Sequence, residues 1–495
     1  MGSLHGLLQP WSCEDLEKIY QASLVILEKT GVQIDSERMR QILEATDARV
    51  DQDKRIARFP ESMVRDRVTH CPGSWDRRPY TPGTFTVTAD AGGERVWDYR
   101  AGKYRKCTPR DLVDYPRLVQ AMPNIDGAGA LVADPDVPHG MRDLICYRNR
   151  MIHCDKGGGG GLGRFPGLCW EIGAELYDDV YDLFAAAWGQ EEVRDNHQIS
   201  CFMGAASPLR WGAEVVDTAI HVTGRGQAVG IGGNCISGIH SPITPAANAA
   251  VDLAERLSGM CMITAIRPEA EFYFVNHPYM LDMTSGDIGS GSVEQTLLAF
   301  LGHQALGHIG FVPAVNHPVM DVGSHCPDSQ SAAEKAIYML LTALGGARGI
   351  GGAGQLKEIC SYEQLVIDNE IAGYVKQLLK GAEINNQTIG LDDILEHGIG
   401  ANFLTCDTTL NFLRQCYYQP QLFYRKRMSE WLGEGSKNVY ERAHEQVRQI
   451  LSSQTPVFLE NDRIRAMDEV IERARRRICP NSNATAYLTD PPGMA

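Results

Sequence analysis

Five histidines, at 277, 303, 308, 317 and 325, share one stretch of chain with Asp321 and Cys326. Side chains of these types move protons, bind carboxylates or ligate metals. No two of the histidines stand at the short helical spacing of a zinc motif, and no Cys-x-x-Cys pair occurs, so no metal is assigned. His303 and His308 fall in a helical pattern and are expected to face neighbouring helices. Two Gly-x-Gly-x-x-Gly patterns, within Gly157–Gly163 and at Gly349, Gly351 and Gly354, invite a dinucleotide reading, with Glu370 downstream of the second. The first is a trivial match to a glycine run, and the second does not open a βαβ unit. Close backbone approach explains both more simply. Gly289-Ser290-Gly291 lacks the spacing of a nucleophile elbow.

From Asp126 onward, short apolar or glycine-ended runs alternate with helical stretches. The runs are 127–133, 151–154, 197–203, 227–232, 269–275, 311–316 and 349–353, with an eighth at 382–385. The intervening helices are 166–188, 210–223, 245–265, 292–308, 328–345 and 361–380. Strand–helix alternation implies right-handed crossovers and a parallel sheet, and eight units suit a (β/α)8 TIM barrel better than an open doubly wound sheet. The expected organisation is an N-terminal α+β extension over 1–120, the barrel over 121–400 and a helical C-terminal extension over 401–495. In the extension, Ser12 and Asp15 form a capping-box pattern ahead of Leu16, Ile19, Tyr20, Leu24 and Leu27, with Gly31 as the stop. The alternation Thr84-Phe85-Thr86-Val87-Thr88 reads as part of a small separate sheet.

The chain has 495 residues, of which 50 are glycine, and a net charge of −15. That charge repels phosphate backbones, which argues against nucleic acid. The arginine-rich end from Arg463 to Arg477 reads as a solvated helix face with interspersed acids. No apolar run is long enough to span a membrane, and Met1–Trp11 lacks the pattern of a signal peptide. The 14 scattered cysteines read as buried free thiols, which suits a cytoplasmic protein.

In a barrel the chemistry sits on loops at the C-terminal ends of strands. Those positions offer Asp134, Asp155, Lys156, Gly204, Asn234, Asn276, His277, Asn316, His317 and the glycines 351–354. The aromatics Phe272, Tyr273, Phe274, Tyr279 and Phe311 lie near them. Such a mouth is polar, weakly charged and suited to a small ligand held against aromatic faces.

Several ordered segments carry a family resemblance over most of the chain. They include Trp97–Lys103, Thr108–Leu112, Arg117–Asp126, Ser207–Arg210, Asp282–Gly286, Pro327–Gln330 and Ser361–Glu370. The chain resembles the trimethylamine methyltransferase superfamily, and in particular its members without pyrrolysine, such as glycine betaine methyltransferase. The resemblance implies transfer of a methyl group from a methylated or quaternary amine to the Co(I) corrinoid (cobalamin) of a separate protein. The chain has no Asp-x-His-x-x-Gly loop of its own to carry a corrinoid, so no tightly bound cofactor is expected. Pyrrolysine would fall near His325, which makes His325 a catalytic candidate, and His317 and Asp321 are further catalytic candidates. Cation–π attraction makes Tyr273, Phe274 and Phe311 candidates for a quaternary head, and strand alternation lets only one of Tyr273 and Phe274 face the lumen. Lys156, His277, His317 and His325 are candidates for a betaine carboxylate, and Asp282 or Asp321 for the cationic head or for orienting a histidine. A non-catalytic sensor of methylated amines and an unrelated metal-dependent barrel lyase or hydrolase are the other readings. The long helices with apolar faces suit a homo-oligomer.

Overall fold

The computed structural model describes residues 4–70, 83–89, 95–128, 136–138, 140–156, 168–169, 173–196, 199–311, 316–357, 359–481 and 488, with backbone alone at 168–169, 196 and 316–318. Eight parallel strands organise it. In chain order they are β1 Thr86–Ala89, β2 Gly127–Ala128, β3 Leu168–Cys169, β4 Ser200–Ala205, β5 Val229–Gly233, β6 Phe272–Asn276, β7 Asn316–Pro318 and β8 Gly349–Ala353. A helix follows each strand: α1 Asp111–Ala121, α2 Arg142–His153, α3 Ala174–Trp188, α4 Ala213–Gly224, α5 Pro245–Ile266, α6 Val293–His308, α7 Ser329–Leu344 and α8 Tyr362–Leu379.

Strands β3 to β7 pair in sequence, and β2, β1 and β8 pair in a second run. A parallel bridge from Val319 to Gly351 joins β7 to β8. The strand order is therefore 2-1-8-7-6-5-4-3, and among the described residues no pairing links β2 to β3.

The two faces of this sheet differ in kind. Phe202, Gly230 and Tyr273 lie side by side across β4, β5 and β6. On the opposite face Met203 and Ile231 lie against Gly259 of α5, with Trp211 beside them, so that face meets the helices. Helix α5 starts with Pro245 at its first turn and is buried on nearly every side from Asn248 to Thr264, as a helix covered by both sheet and outer helices must be. The face turned away from the helices is filled by aromatics lying over glycines. A Cβ on Gly230 would stand 2.8 Å from the Tyr273 ring, and one on Gly204 equally close to Phe202. Glycine abundance here makes room for rings in the strand interior. Gly230→Ala is expected to destabilise the fold by about 1–3 kcal/mol through overpacking, read as a lower denaturation midpoint.

Four segments differ from the sequence expectation. Thr86–Ala89 belongs to the main parallel sheet, pairing with β8 and β2, although it lies ahead of residue 121 and reads locally as part of a small separate sheet. Residues 151–153 are the end of α2, a helix with every residue from Asp143 to His153 buried, and all-round burial erases the periodicity that separates helix from strand. The third strand is Leu168–Cys169, inside the stretch read as helix 166–188. Ala382–Asn385 is not a strand.

The Cys13–Val25 helix begins with the expected capping box, Asp15 N–H donating to Ser12 Oγ at 3.1 Å and Ser12 N–H to the Asp15 carboxylate at 3.3 Å. It buries Leu16, Ile19, Tyr20 and Leu24, and Gly31 ends the following turn at φ 75°. At the other end of the chain, Arg473 pairs with Asp182 at 2.5 Å, and Arg475 and Arg476 pair with Glu472. Those arginines are spent on neighbouring acids. Among the described residues no helix is long and apolar enough to cross a membrane.

Candidate active site

Just beyond β6 the chain continues as Asn276-His277-Pro278-Tyr279, and Tyr279–Met280 runs parallel to Ile236–Ser237. Residues two apart on extended chain point the same way, and His277 and Tyr279 both meet Asp321, three residues past β7. His277 Nε2 lies 2.5 Å from Asp321 Oδ2, and the Tyr279 hydroxyl donates to the same oxygen at 2.8 Å. Gln295, in the first turn of α6, donates to it at 3.0 Å, and Gln355, two residues past β8, donates to Oδ1 at 3.2 Å. Loops after three consecutive strands and the start of one helix thus converge on one carboxylate.

Asp321 is buried. Burial alone would raise its pKa, but the His277 charge and the hydrogen bonds from His277, Tyr279 and Gln295 outweigh it and hold the carboxyl below its ordinary value. Burial, followed by the charge of Asp321, pushes the Tyr279 phenol well up, so Tyr279 remains a donor. The group opens on a cavity of about 180 Å³ lined by Tyr279, Asp287, Ile288, Ser290, Asp321 and Val322, with Gln355 and Lys357. Lys357 Nζ reaches Asp287 at 2.7 Å.

The glycines of β8 serve this geometry. Gly352 has φ 92°, and a Cβ there would strike the Met320 backbone at 2.8–2.9 Å, so glycine lets the chain leading to Asp321 pass against β8. The Gly354 N–H that a phosphate would need donates instead to Asp368 at 2.7 Å. Asp368 also receives Lys335 Nζ at 2.8 Å, and that ammonium donates to Gly352 O at 2.6 Å. Both charged side chains are fully buried. The dinucleotide pattern at 349–354 is thus explained by close backbone approach, while Gly157–Gly161 lie outside the described residues.

The other sequence candidates are placed as follows. Tyr273 is on the face away from the helices, its hydroxyl 2.9 Å from Ser200 Oγ. It stands four residues, about 13 Å of strand, below His277. Phe274 faces the helices, with ring centroids 5.1 Å from Phe311 and 5.4 Å from Phe272, so Phe274 and Phe311 are packing residues there. Lys156 follows the end of α2, not a strand, and donates to Met122 O and Ile125 O at the opposite end of the sheet. That correction follows from the helical state of 151–153. Asp282 is exposed on the rim and accepts from Thr284 N–H at 2.8 Å. The His317 backbone is in β7, and its side chain lies outside the described residues. His325 is exposed on the rim loop after Asp321. His303 is buried in α6, where burial lowers its pKa to about 4, and His308 meets Glu17 at 2.9 Å.

Tyr279, named from the sequence only as an aromatic near the mouth, and Gln295, Gln355 and Lys357, which the sequence reading did not single out, complete the site. Gln355 and Lys357 follow the glycine strand directly, and reading a few residues past Gly354 would have found them. Gln295 sits three residues after the N-cap Ser292 and had no signal in spacing.

A second buried acid braces the loop after β4. Glu255 of α5 accepts from Ser207 Oγ and Leu209 N–H, each at 2.8 Å. Burial, then the neighbouring Asp252 charge, raises its pKa to about 7 against the Leu209 and Ser207 donors. A raised carboxyl favours the folded state fully below its unfolded value, and that advantage is lost as pH rises through the folded value. Stability is therefore expected to fall between about pH 4.5 and 7 by roughly 3 kcal/mol on account of this group. Glu255→Gln should flatten that slope in denaturant titrations run across the window.

The trimethylamine methyltransferase (MTTB) family model matches residues 4–479. Trimethylamine methyltransferase MttB of Methanosarcina barkeri is 26% identical over 502 residues, covering 95% of this chain and 96% of that protein. MttB of Desulfitobacterium hafniense is 28% identical over 475 residues, covering 91% and 90%. The glycine betaine methyltransferase of Desulfitobacterium hafniense is 24% identical over 462 residues, covering 90% and 93%. In fold, the chain is similar to the crystal structure of the Methanosarcina barkeri monomethylamine methyltransferase, with a TM-score of 0.51 at 12% identity, covering 96% of this chain and 88% of that one. With its parallel strands, its converging loops and a family match over nearly its whole length, the chain belongs to the trimethylamine methyltransferase family.

Proposed function

We propose that the chain takes a methyl group from a quaternary or methylated amine of betaine type and passes it to a Co(I) corrinoid on a separate protein. In this reading the eight strands close into a (β/α)8 barrel, with the N-terminal α+β and C-terminal helical extensions around it. The observation that carries the proposal is the buried Asp321 carboxylate, held by His277 and Tyr279 beside a small cavity beyond the C-terminal ends of β6, β7 and β8.

A quaternary nitrogen has no proton to give up, so the site need only bind, orient and dry the reacting carbon. Asp321 faces the cationic head and the Tyr279 ring offers it a π-face. Positive charge leaves the ligand as the methyl departs, so a bare carboxylate would hold the substrate back. Four donors share the Asp321 charge, and anchoring is achieved without that excess. Lys357 is paired with a largely exposed Asp287, a partnership worth about 0–1 kcal/mol, and exchanges it for the carboxylate of a betaine.

The cavity of about 180 Å³ is too small to enclose a corrin ring. The rim, with exposed Asp282, Met283, Asp287 and His325, leaves the face open to one carried on another protein. When presented there, the corrinoid supplies the nucleophile that accepts the methyl group.

The test is anaerobic incubation with a panel of quaternary and methylated amines and either a reduced corrinoid protein or free cob(I)alamin. Methyl–cobalt absorbance is expected with at least one quaternary ammonium carboxylate. Tight binding of panel members with no methyl transfer would establish a sensor instead.

A further inference from the structure

The donors that meet Asp321 come from elements that must be held in step. His277 follows the last residue of β6, and Gln295 lies in the first turn of α6. The chain between them runs through residues 282–287, all exposed on the rim. A segment with so few buried contacts cannot by itself keep the strand and the helix aligned.

The link lies below both, in a side chain of the strand itself. Asn276, the last residue of β6, is fully buried. Its Nδ2 donates to the Ala299 carbonyl of α6 at 2.6 Å, and its Oδ1 accepts from Arg256 Nη2 of α5 at 2.8 Å. Ala299 stands one turn after Gln295 on the same helix. Gly302 of α6 also faces the amide, where a Cβ would come 3.1 Å from Oδ1. The helix therefore lies closer to the strand here than a larger residue would comfortably allow. Arg256 is held in turn by Asp252, one turn earlier on α5, at 2.6 Å, and both are buried. A carbonyl on one side and a guanidinium on the other leave the amide a single orientation.

Stability alone does not account for this arrangement. A buried ion pair is often no more stabilising than apolar side chains of the same volume. Hydrogen bonds differ from apolar contacts in fixing direction as well as distance. Three elements that meet on one amide cannot slide past one another.

We propose that Asn276 is a positioning residue, whose amide locks β6 to α5 and α6 and so fixes how His277 and Gln295 approach the Asp321 carboxylate. His277 is one residue beyond the tether on the strand, and Gln295 is one helical turn beyond it on α6. The effect on methyl transfer rests on the Asp321 reading above, whereas the effect on His277 does not.

The test uses the full chain with ¹⁵N-labelled histidine and two variants. Asn276→Asp keeps the bond from Arg256 but sets a carboxylate against the Ala299 carbonyl, which releases α6. Arg256→Lys keeps a charge for Asp252 but withdraws the donor from Asn276, which releases α5. The His277 ring signals, identified by their loss in His277→Gln, are expected to shift in both variants while far-UV circular dichroism stays unchanged. With an active amine, kcat is expected to fall about 10–100-fold and KM to change less than about threefold. Unchanged His277 signals in folded Asn276→Asp would overturn the inference and leave Asn276 a structural residue, whatever its denaturation midpoint. Shifted signals with an unchanged kcat would also overturn it. If Asn276→Asp does not fold, the same outcomes are read from Arg256→Lys. A wild type that transfers no methyl group refutes the proposed reaction instead, and the His277 signals then decide the positioning role.

Discussion

Asp321→Asn is expected to lower kcat/KM for methyl transfer by about 10²–10³-fold, the cost of removing a preorganised charge from a drying site. The exchange keeps the volume of the side chain and changes what it offers. As a carboxylate, Asp321 only accepts, and it meets donors from His277, Tyr279, Gln295 and Gln355. An amide turns one acceptor into a donor facing donors, and removes the charge that meets a cationic head. The unsatisfied contacts also cost about 1–3 kcal/mol of stability, so the assay is run well below the variant's denaturation midpoint. His325→Ala is the companion measurement. His325 is exposed on the rim, and its loss is expected to change transfer by less than about tenfold. A severe His325 effect with a mild Asp321 effect would move the chemistry to the rim. The depressed Asp321 carboxyl adds an acid-side signature. It contributes stability above the ordinary aspartate value that is lost as pH falls through its lower folded value, and Asp321→Asn removes this component.

Lys335→Met is expected to destabilise the protein by about 3–5 kcal/mol, the cost of leaving a buried charge without its partner. Lys335 and Asp368 are both fully buried, 2.8 Å apart. The variant strands the Asp368 carboxylate, leaving it the Gln364 and Gly354 donors, and leaves Gly352 O without the ammonium. Activity should suffer as well, because the same pair fixes the Gly352–Gly354 turn that aims Gln355 at Asp321. Asp368→Leu added to Lys335→Met should recover much of the denaturation midpoint, since a packed apolar pair avoids the desolvation cost. A double variant no more stable than Lys335→Met would show that the lost ammonium bond to Gly352, not the stranded charge, sets the loss.

Much of the alternating architecture was legible because β8 and the strands near β4, β5 and β6 are apolar or glycine-rich runs closely followed by amphipathic helices. Thr86–Ala89 was read as a strand but not as part of the main sheet, because nothing local says that Thr86 pairs with Gly349, over 250 residues away. Residues 151–153, the end of α2, were read as strand because burial on all sides removes the 3.6-residue period. The site was legible where a polar residue sits next to a strand end, as with His277, and where an acid shares a stretch of chain with several histidines, as with Asp321. Lys156 failed for the same reason that residues 151–153 did, Phe274 because an aromatic on a strand does not declare its face, and Phe311 because it lies ahead of β7 and packs on Phe274. Gln295 reaches the site from a helix start, a contact set by tertiary packing alone.

The central claim is that Asp321, His277 and Tyr279 form the place where a methyl group is taken from an onium ligand. It is tested most directly by anaerobic single-turnover mixing of the enzyme with reduced corrinoid protein and a betaine-type amine carrying ¹³C in its N-methyl groups, followed by NMR. The account predicts a ¹³C-methyl–cobalt resonance with loss of one methyl from the amine in the wild type, and its suppression in Asp321→Asn. A labelled methyl that reaches cobalt at an unchanged rate in Asp321→Asn would contradict it.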